Sequence, residues 1–208
     1  MFPQVALLVH LILAKPQPQV KASSSVVLAS HTISMEDRYN NKFVNDVFKD
    51  NILLTLNYMD GTVKSKGDID WDKIEAGPLH AEFTLKPGQE FAFHDAELPD
   101  YSKNVVQTMN SHFVSDEGFK FDGDITGDGV CHLASLIYWV AKDAGLSAYA
   151  PSNHNFAKIN DIAPVYGVAI ESPMPDGNLY ITDSFNKPVT FVFDYDGTNL
   201  TVSIAESN

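Results

Sequence analysis

Hydrophobic and polar positions along the chain fall into a series of distinct periods. In KFVNDVFKDNILLTLNYMDG, Val44, Val47, Phe48, Ile52, Leu56 and Met59 recur at spacings of three and four, the mark of an amphipathic helix closed by Asp60-Gly61. Residues 68–74, DIDWDKI, read as a short acidic helical turn. LHAEFTLKPGQEFAFHDAEL alternates as two strands broken at Pro87-Gly88, a hairpin or a bend. Residues 96–126 carry no period; Pro99, the polar MNSH and the Gly-Asp-rich EGFKFDGDITGDG predict loop with short extended pieces. Val130, Leu133, Ala134, Ile137, Tyr138, Val140, Ala141 and Ala144 then make a helix that is apolar nearly all round, capped by Gly145. VYGVAIES, NLYITDS, VTFVFDYDG and LTVSIAE read as four successive strands, with hairpin signals at Asp176-Gly177 and Asp196-Gly197. The order predicts an α+β fold: a central buried helix, preceded by a Gly-rich loop, packs on an antiparallel sheet formed by a C-terminal β-meander, with an additional amphipathic helix on the N-terminal side.

The first residues read as an address. VALLVHLILA, residues 5–14, is about the length of a signal-peptide core and too short to span a bilayer, and Val20-Lys21-Ala22 supplies a small-residue cleavage site. No Lys or Arg precedes the core, as in a truncated or atypical signal. The expected organisation is a signal peptide over 1–22, a Ser-rich linker over 23–42 holding at most one short strand, and a single domain over 43–208. Charge sharpens the partner list. With 14 basic and 27 acidic residues the formal net charge is −13; cleavage after Ala22 leaves 12 basic residues and −15. Such a surface repels nucleic acid and anionic lipid, and no basic-aromatic run offsets that locally.

Candidate chemistry centres on GDGVCHLASLIYWVAKDAGL, which holds the one cysteine. An exported chain with a single thiol has no internal disulfide, so its core must stabilise it. Cys131 falls in the first turn of the apolar helix, where free N–H groups and the helix dipole favour a thiolate, and its own N–H is placed as an oxyanion donor. Gly127 and Gly129 leave room for another chain or a substrate carbonyl. His154 in PSNHNF is the candidate base; Asp183, Asn155 or Asn153 would orient its ring. His132, a neighbour on the helix, points about 100° away and is a poor base for Cys131. Against this stands a plainer reading: a free cysteine usually behaves as a small buried hydrophobe, His154 as a turn residue and Asp183 as a strand-end residue. For His94 and His112 an internal hydrogen bond is expected rather than a metal site, since no pair has the helical zinc spacing. DITGDG matches half of a calcium loop, with Asp124, Thr126 and Asp128 at alternate positions and Gly129 sixth, but Ser135 stands where the closing Glu belongs. Nothing in the pattern calls for a cofactor.

These same residues carry a resemblance. LKPGQEFAFHDAELP, GDGVCHLASLIYWVAKDAGL, NHNF, YGVAI and NKPVTFVFDYDGTNLTVSI together resemble the VanW-like family, named from a protein encoded in vancomycin-resistance clusters, over residues 79–208. Gly127, Gly129, Cys131, Ser135, Tyr138, Gly145, Leu146, His154, Tyr166 and Gly167 take the family's motif positions. Asp128 replaces a glycine, His132 a glutamine, Ser152 a histidine, and the loop from His154 to Tyr166 is shortened. The resemblance implies a bacterial, extracytoplasmic, cell-envelope setting with cell-wall peptide or glycan as partner, and no defined reaction. Three readings follow: an envelope module in which the Gly-Cys-helix element is a packing motif, a cysteine amidase or transpeptidase using Cys131 and His154, and a calcium-stabilised binding module.

Overall fold

The computed structural model describes residues 25–123 and 127–206. The sequence-predicted signal peptide, and Asp124 and Thr126 of the half calcium loop, lie outside the described residues. The fold is α+β. Its elements are β1 (Val26–Ser34), α1 (Lys42–Met59), α2 (Trp71–Ala76), β2 (Leu79–Leu85), β3 (Glu90–Ala92), β4 (Val105–Gln107), α3 (Val130–Ala144), β5 (Ser147–Tyr149), β6 (Tyr180–Thr182), β7 (Val189–Tyr195) and β8 (Asn199–Glu206).

Two four-stranded sheets result, in the orders β1-β8-β7-β2 and β4-β3-β6-β5. The first is antiparallel throughout, and its strands alternate because one face meets the core. In β2, Ala81, Phe83 and Leu85 point inward while His80, Glu82 and Thr84 face solvent. Facing β7 inserts Val189, Phe191 and Phe193, and Phe83 stacks on Phe191 at 4.6 Å and on Phe91 of the second sheet at 5.1 Å. Helix α3 lies against β1, β8, β5 and α1, and it is the buried centre the apolar pattern predicts.

Several expectations change. The linker over 23–42 gives way to a full strand: β1 pairs with β8 from Val26 to Ser34 and covers α3, so the mixed Ser and β-branched pattern reflects an edge strand with one face in water. The break at Pro87-Gly88 is a bend, because β2 pairs with β7 in one sheet and β3 with β6 in the other. Only the last hairpin, β7-β8 at Asp196-Gly197, forms as read. VYGVAIES is a 3-10 turn followed by irregular chain, and NLYITDS pairs with β5 and β3 in the second sheet. Asp176-Gly177 is a turn, in which Glu171 N–H donates to Gly177 C=O.

Helix α1 is far more buried than an amphipathic surface helix, and its polar residues inside the protein are used. Asn41 caps it by accepting from Phe43 and Val44 N–H. Asn51, fully buried, donates to the carbonyls of Lys120 and Asp128 and accepts from Lys120 N–H. This one amide therefore fixes the loop that leads into α3. Gly129 completes the joint: φ is +98°, and a Cβ there would lie 2.5 Å from the Phe48 carbonyl oxygen. Asn51→Ala should lose about 3 kcal/mol by stranding three backbone groups, and Gly129→Ala about 2–4 kcal/mol through strain and overlap. Urea unfolding monitored by tryptophan fluorescence measures both; a loss under 1 kcal/mol in either would refute the joint.

Candidate functional site

The N-terminus of α3 opens onto a cleft of about 600 Å³. Gly127 to His132 form one wall; Tyr39 and Phe48 come from the α1 side, His112 to Ser115 from the loop before α3, His154 and Phe156 to Lys158 from the following loop, and Ile170 to Ser172 from the chain beyond. Residues far apart in sequence thus meet at the place where the glycine-rich loop turns into helix. Cys131, His132 and His154 all border it.

The room left by the two glycines is already occupied by the protein itself. Gly129 accommodates the backbone of Phe48, and Gly127, at φ +84°, sits where a Cβ would be 2.6 Å from the Phe113 carbonyl oxygen. Close approach was foreseen, but by a substrate or another strand; it is made by α1 and by the 111–114 loop.

The sulfur of Cys131 accepts a hydrogen bond from Ile170 N–H at 3.3 Å and lies 3.8 Å from that residue's carbonyl oxygen. Among the described residues, no hydrogen bond joins it to an imidazole. Burial pushes the thiol up to about 11, so the helix terminus does not yield the expected thiolate. Desolvation outweighs the dipole. Ser135, one helical turn on, donates to the Cys131 carbonyl and accepts from Val168 N–H, so this motif residue braces the helix against the crossing chain.

His154 is held by its backbone and by a tether of its loop. Its N–H donates to Gly167 C=O at 3.2 Å, while Asn153 Nδ2 donates to the carbonyls of Gly167 and Pro164. At Gly167 a Cβ would be 3.1 Å from the His154 carbonyl oxygen, which accounts for glycine there. Tyr166 stacks on Trp139 at 5.6 Å and meets Tyr138 edge-on at 6.5 Å, anchoring the same loop to α3. Arg38, 2 % exposed, holds the far end: Nε donates to Ser34 C=O, one terminal nitrogen to Asn160 C=O and the other to Asp161. Sequence reading missed Arg38, which sits in a polar stretch with no period to mark it.

The imidazole Nδ1 of His154 lies 3.2 Å from Ala157 C=O. A carbonyl only accepts, so Nδ1 carries the proton and Nε2 keeps its lone pair. Burial holds the ring below the usual histidine range, hence neutral. Neither Asn155 nor Asp183 orients it. Asn155 is exposed, and Asp183 follows β6 outside the cleft lining, where one carboxylate oxygen accepts from Phe185 N–H. The orienting group is a backbone carbonyl three residues on, a partner that no side-chain pattern encodes.

His132, set aside as a base, proves to be a cleft residue. It is 4 % exposed, edge-on to Phe48 at 5.1 Å and to His154 at 6.2 Å, and desolvation lowers it to about 3. His94 makes the internal hydrogen bond expected of it, while His112 is exposed and makes its bonds at the surface. Buried His94 donates from Nε2 to Gly177 C=O, and His112 lies between Glu117 and Asp95, with Glu117 first among the partners that raise it. Among the described residues no group of three metal-ligating side chains converges, and Asp128 borders the cleft. No helix among them is long and apolar enough to cross a membrane.

No family model, curated protein or solved structure matches the chain. The site therefore stands on its own geometry.

Two outcomes follow from the buried neutral groups. Thiolate content at neutral pH should be roughly two orders of magnitude below that of the unfolded chain, so iodoacetamide should label native protein about 100-fold more slowly than protein in urea. Equal rates would contradict the desolvated thiol. For His132, whose folded value of about 3 lies below the unfolded value near 6.5, stability is full above about pH 6.5 and falls as pH drops toward 3. Melting of His132→Phe between about pH 7 and 4 should fall less steeply than wild type; parallel curves would show that His132 does not carry the acid sensitivity.

Proposed function

We propose that this chain is an extracytoplasmic cell-envelope module of VanW-like type, and that it binds a fragment of the cell wall, peptide or glycan, in the cleft at the N-terminus of α3. One observation carries the reading. The residues behind the resemblance are scattered over the sequence, and Gly127, Gly129, Cys131 and His154 gather on the walls of one cleft large enough for a small ligand. Gly167, Tyr166, Tyr138 and Ser135 hold those walls from behind. A motif that served packing alone would have no need to frame an open cavity. The aromatic lining from Tyr39, Phe48, Phe113 and Phe156 gives that cavity the apolar character common to ligand sites.

A second reading has its own support, since Cys131 and His154 border the same space and His154 Nε2 retains a lone pair. In that reading the module is an amidase or transpeptidase: sulfur attacks an amide carbonyl as the imidazole takes the thiol proton, the C–N bond breaks, and the proton passes to the departing amine. The resting groups are neutral, so attack and proton transfer would have to be concerted.

Cosedimentation with purified peptidoglycan separates these ideas. Wild type should pellet with the wall material, and Ala157→Trp, which projects bulk into the cleft from an exposed loop position, should lower the bound fraction at least about five-fold, a change worth roughly 1 kcal/mol. Failure of wild type to pellet, or equal binding by the variant, would remove the cleft from the function. An acyl adduct on Cys131 by mass spectrometry, lost in Cys131→Ala, would establish the second reading; unaltered mass and unaltered wall fragments after prolonged incubation would exclude it.

A further inference from the structure

Two polar atoms of the cleft-lining residues have no hydrogen-bond counterpart among the described residues. His132 Nδ1 and Ser172 Oγ are both shielded from solvent, both belong to residues lining the cleft, and neither has a hydrogen-bond partner. His132 itself is 4 % exposed. A buried donor or acceptor left unmatched is costly, and in folded proteins most are matched. The two come from different parts of the chain, one from the first turn of α3 and one from the segment after Ile170, and both residues border the same cleft.

We propose that His132 and Ser172 form a hydrogen-bonding subsite for one peptide unit of an uncharged, apolar peptide segment bound in the cleft. The inference rests on the binding role proposed above and chooses between its two ligands. A planar amide carries one donor and one acceptor, and a hydroxyl paired with a neutral imidazole supplies the complement. A glycan brings a hydroxyl on most ring carbons and needs many polar partners once desolvated. The cleft offers instead the rings of Tyr39, Phe48, Phe113 and Phe156 and the aliphatic Ile170, surfaces suited to alkyl side chains flanking an amide.

Charge on the ligand is disfavoured from both signs. The Arg38 guanidinium already donates to Ser34, Asn160 and Asp161, the last an ion pair that meets its charge within the protein. His132 stays neutral and provides no cationic counterpart. Acids outnumber bases on the lining, Asp122, Asp128 and Glu171 against Arg38 and Lys158, and the chain carries −13, which opposes a free carboxyl terminus. A ligand ammonium would have to be desolvated among aromatic rings.

The test is an NMR titration of the full chain, ¹⁵N-labelled at histidine, with N-acetyl-leucyl-alaninamide, N-acetyl-leucyl-alanine carrying a free carboxylate, and chitotriose. The blocked amide should bind saturably and displace the ring nitrogen signals of His132 more than those of His94 or His112. Its affinity should exceed that of the carboxylate and fall roughly five- to thirty-fold in Ser172→Ala and in His132→Phe, as expected for one lost hydrogen bond with its partner stranded. Ser172→Ala leaves α3 untouched, so the result does not depend on His132→Phe folding. Amide binding that spares the His132 signals, undiminished affinity in Ser172→Ala, or preference for chitotriose overturns the peptide subsite while the cleft keeps its binding role. Silence of all cleft signals with every probe overturns both.

Discussion

A single buried amide sets the geometry from which the site follows. Asn51 projects from the middle of α1 and bonds simultaneously to the backbone at Lys120 and at Asp128, two points on either side of the loop that leads into α3. The loop crosses α1 close enough that only glycine fits at position 129. Because Asn51 is inside the protein, breaking any of these bonds would strand a polar group, and Lys120 and Asp128 are held to α1. Arg38 does the corresponding work on the opposite side, drawing β1, the start of α1 and the 160–161 loop together beneath His154. The cleft lies among the elements that these two polar ties hold.

That construction also determines the charge state of the site. A helix N-terminus stabilises a nearby anion by about 0.3–1 kcal/mol, and up to about 2 in sheltered geometry. Raising a thiol to about 11 corresponds to roughly 3 kcal/mol against ionisation. Burial wins, and the sulfur serves as an acceptor for the Ile170 N–H rather than as a standing nucleophile. Both neighbouring imidazoles are pushed the same way, His132 to about 3 and His154 below its usual range, because positive charge is as poorly solvated there as negative. Cys131, His132 and His154 are therefore uncharged together.

How much of this was legible in the sequence depends on the kind of interaction. Helix α3 with its glycine at each end, helix α1, the β7-β8 hairpin and the α+β class rest on period and turn chemistry, which are local, and each formed as expected. Long-range pairing was not legible. Strand β1 gives no local sign that its partner is β8, some 170 positions on, and NLYITDS carries the same alternation whether it pairs forward to β7 or back to β3. At the site, residue type and spacing singled out Gly127, Gly129, Cys131 and His154, which border one cleft. The roles of Asn51, Arg38 and the Ala157 carbonyl were not, since a buried Asn or Arg in a helix or polar stretch looks like any solvated one. The place of His132 on the cleft wall was hidden for a related reason. Its angle from Cys131 on the helix was right, but the wall it faces is built by Phe48 and His154, and only the folded chain brings them there.

The neutrality of Cys131, His132 and His154 constrains any chemistry the cleft performs. A thiolate nucleophile requires a stored charge separation, with imidazolium beside it, and both ions would be poorly solvated in this wall. Ligand entry sharpens the difficulty, because excluding water raises the cost of each charge further. The route consistent with the resting state keeps every group neutral until the carbonyl arrives, the thiol proton then moving to a ring nitrogen as the C–S bond forms. That demands the sulfur exchange its Ile170 N–H for the substrate, and Ile170 belongs to the same crossing chain that Ser135 braces through Val168. A binding role makes no such demand. It uses the neutral wall as it stands, with hydrogen-bonding groups held fixed by the same braces that would hinder catalysis, which is the physical reason to place recognition ahead of turnover.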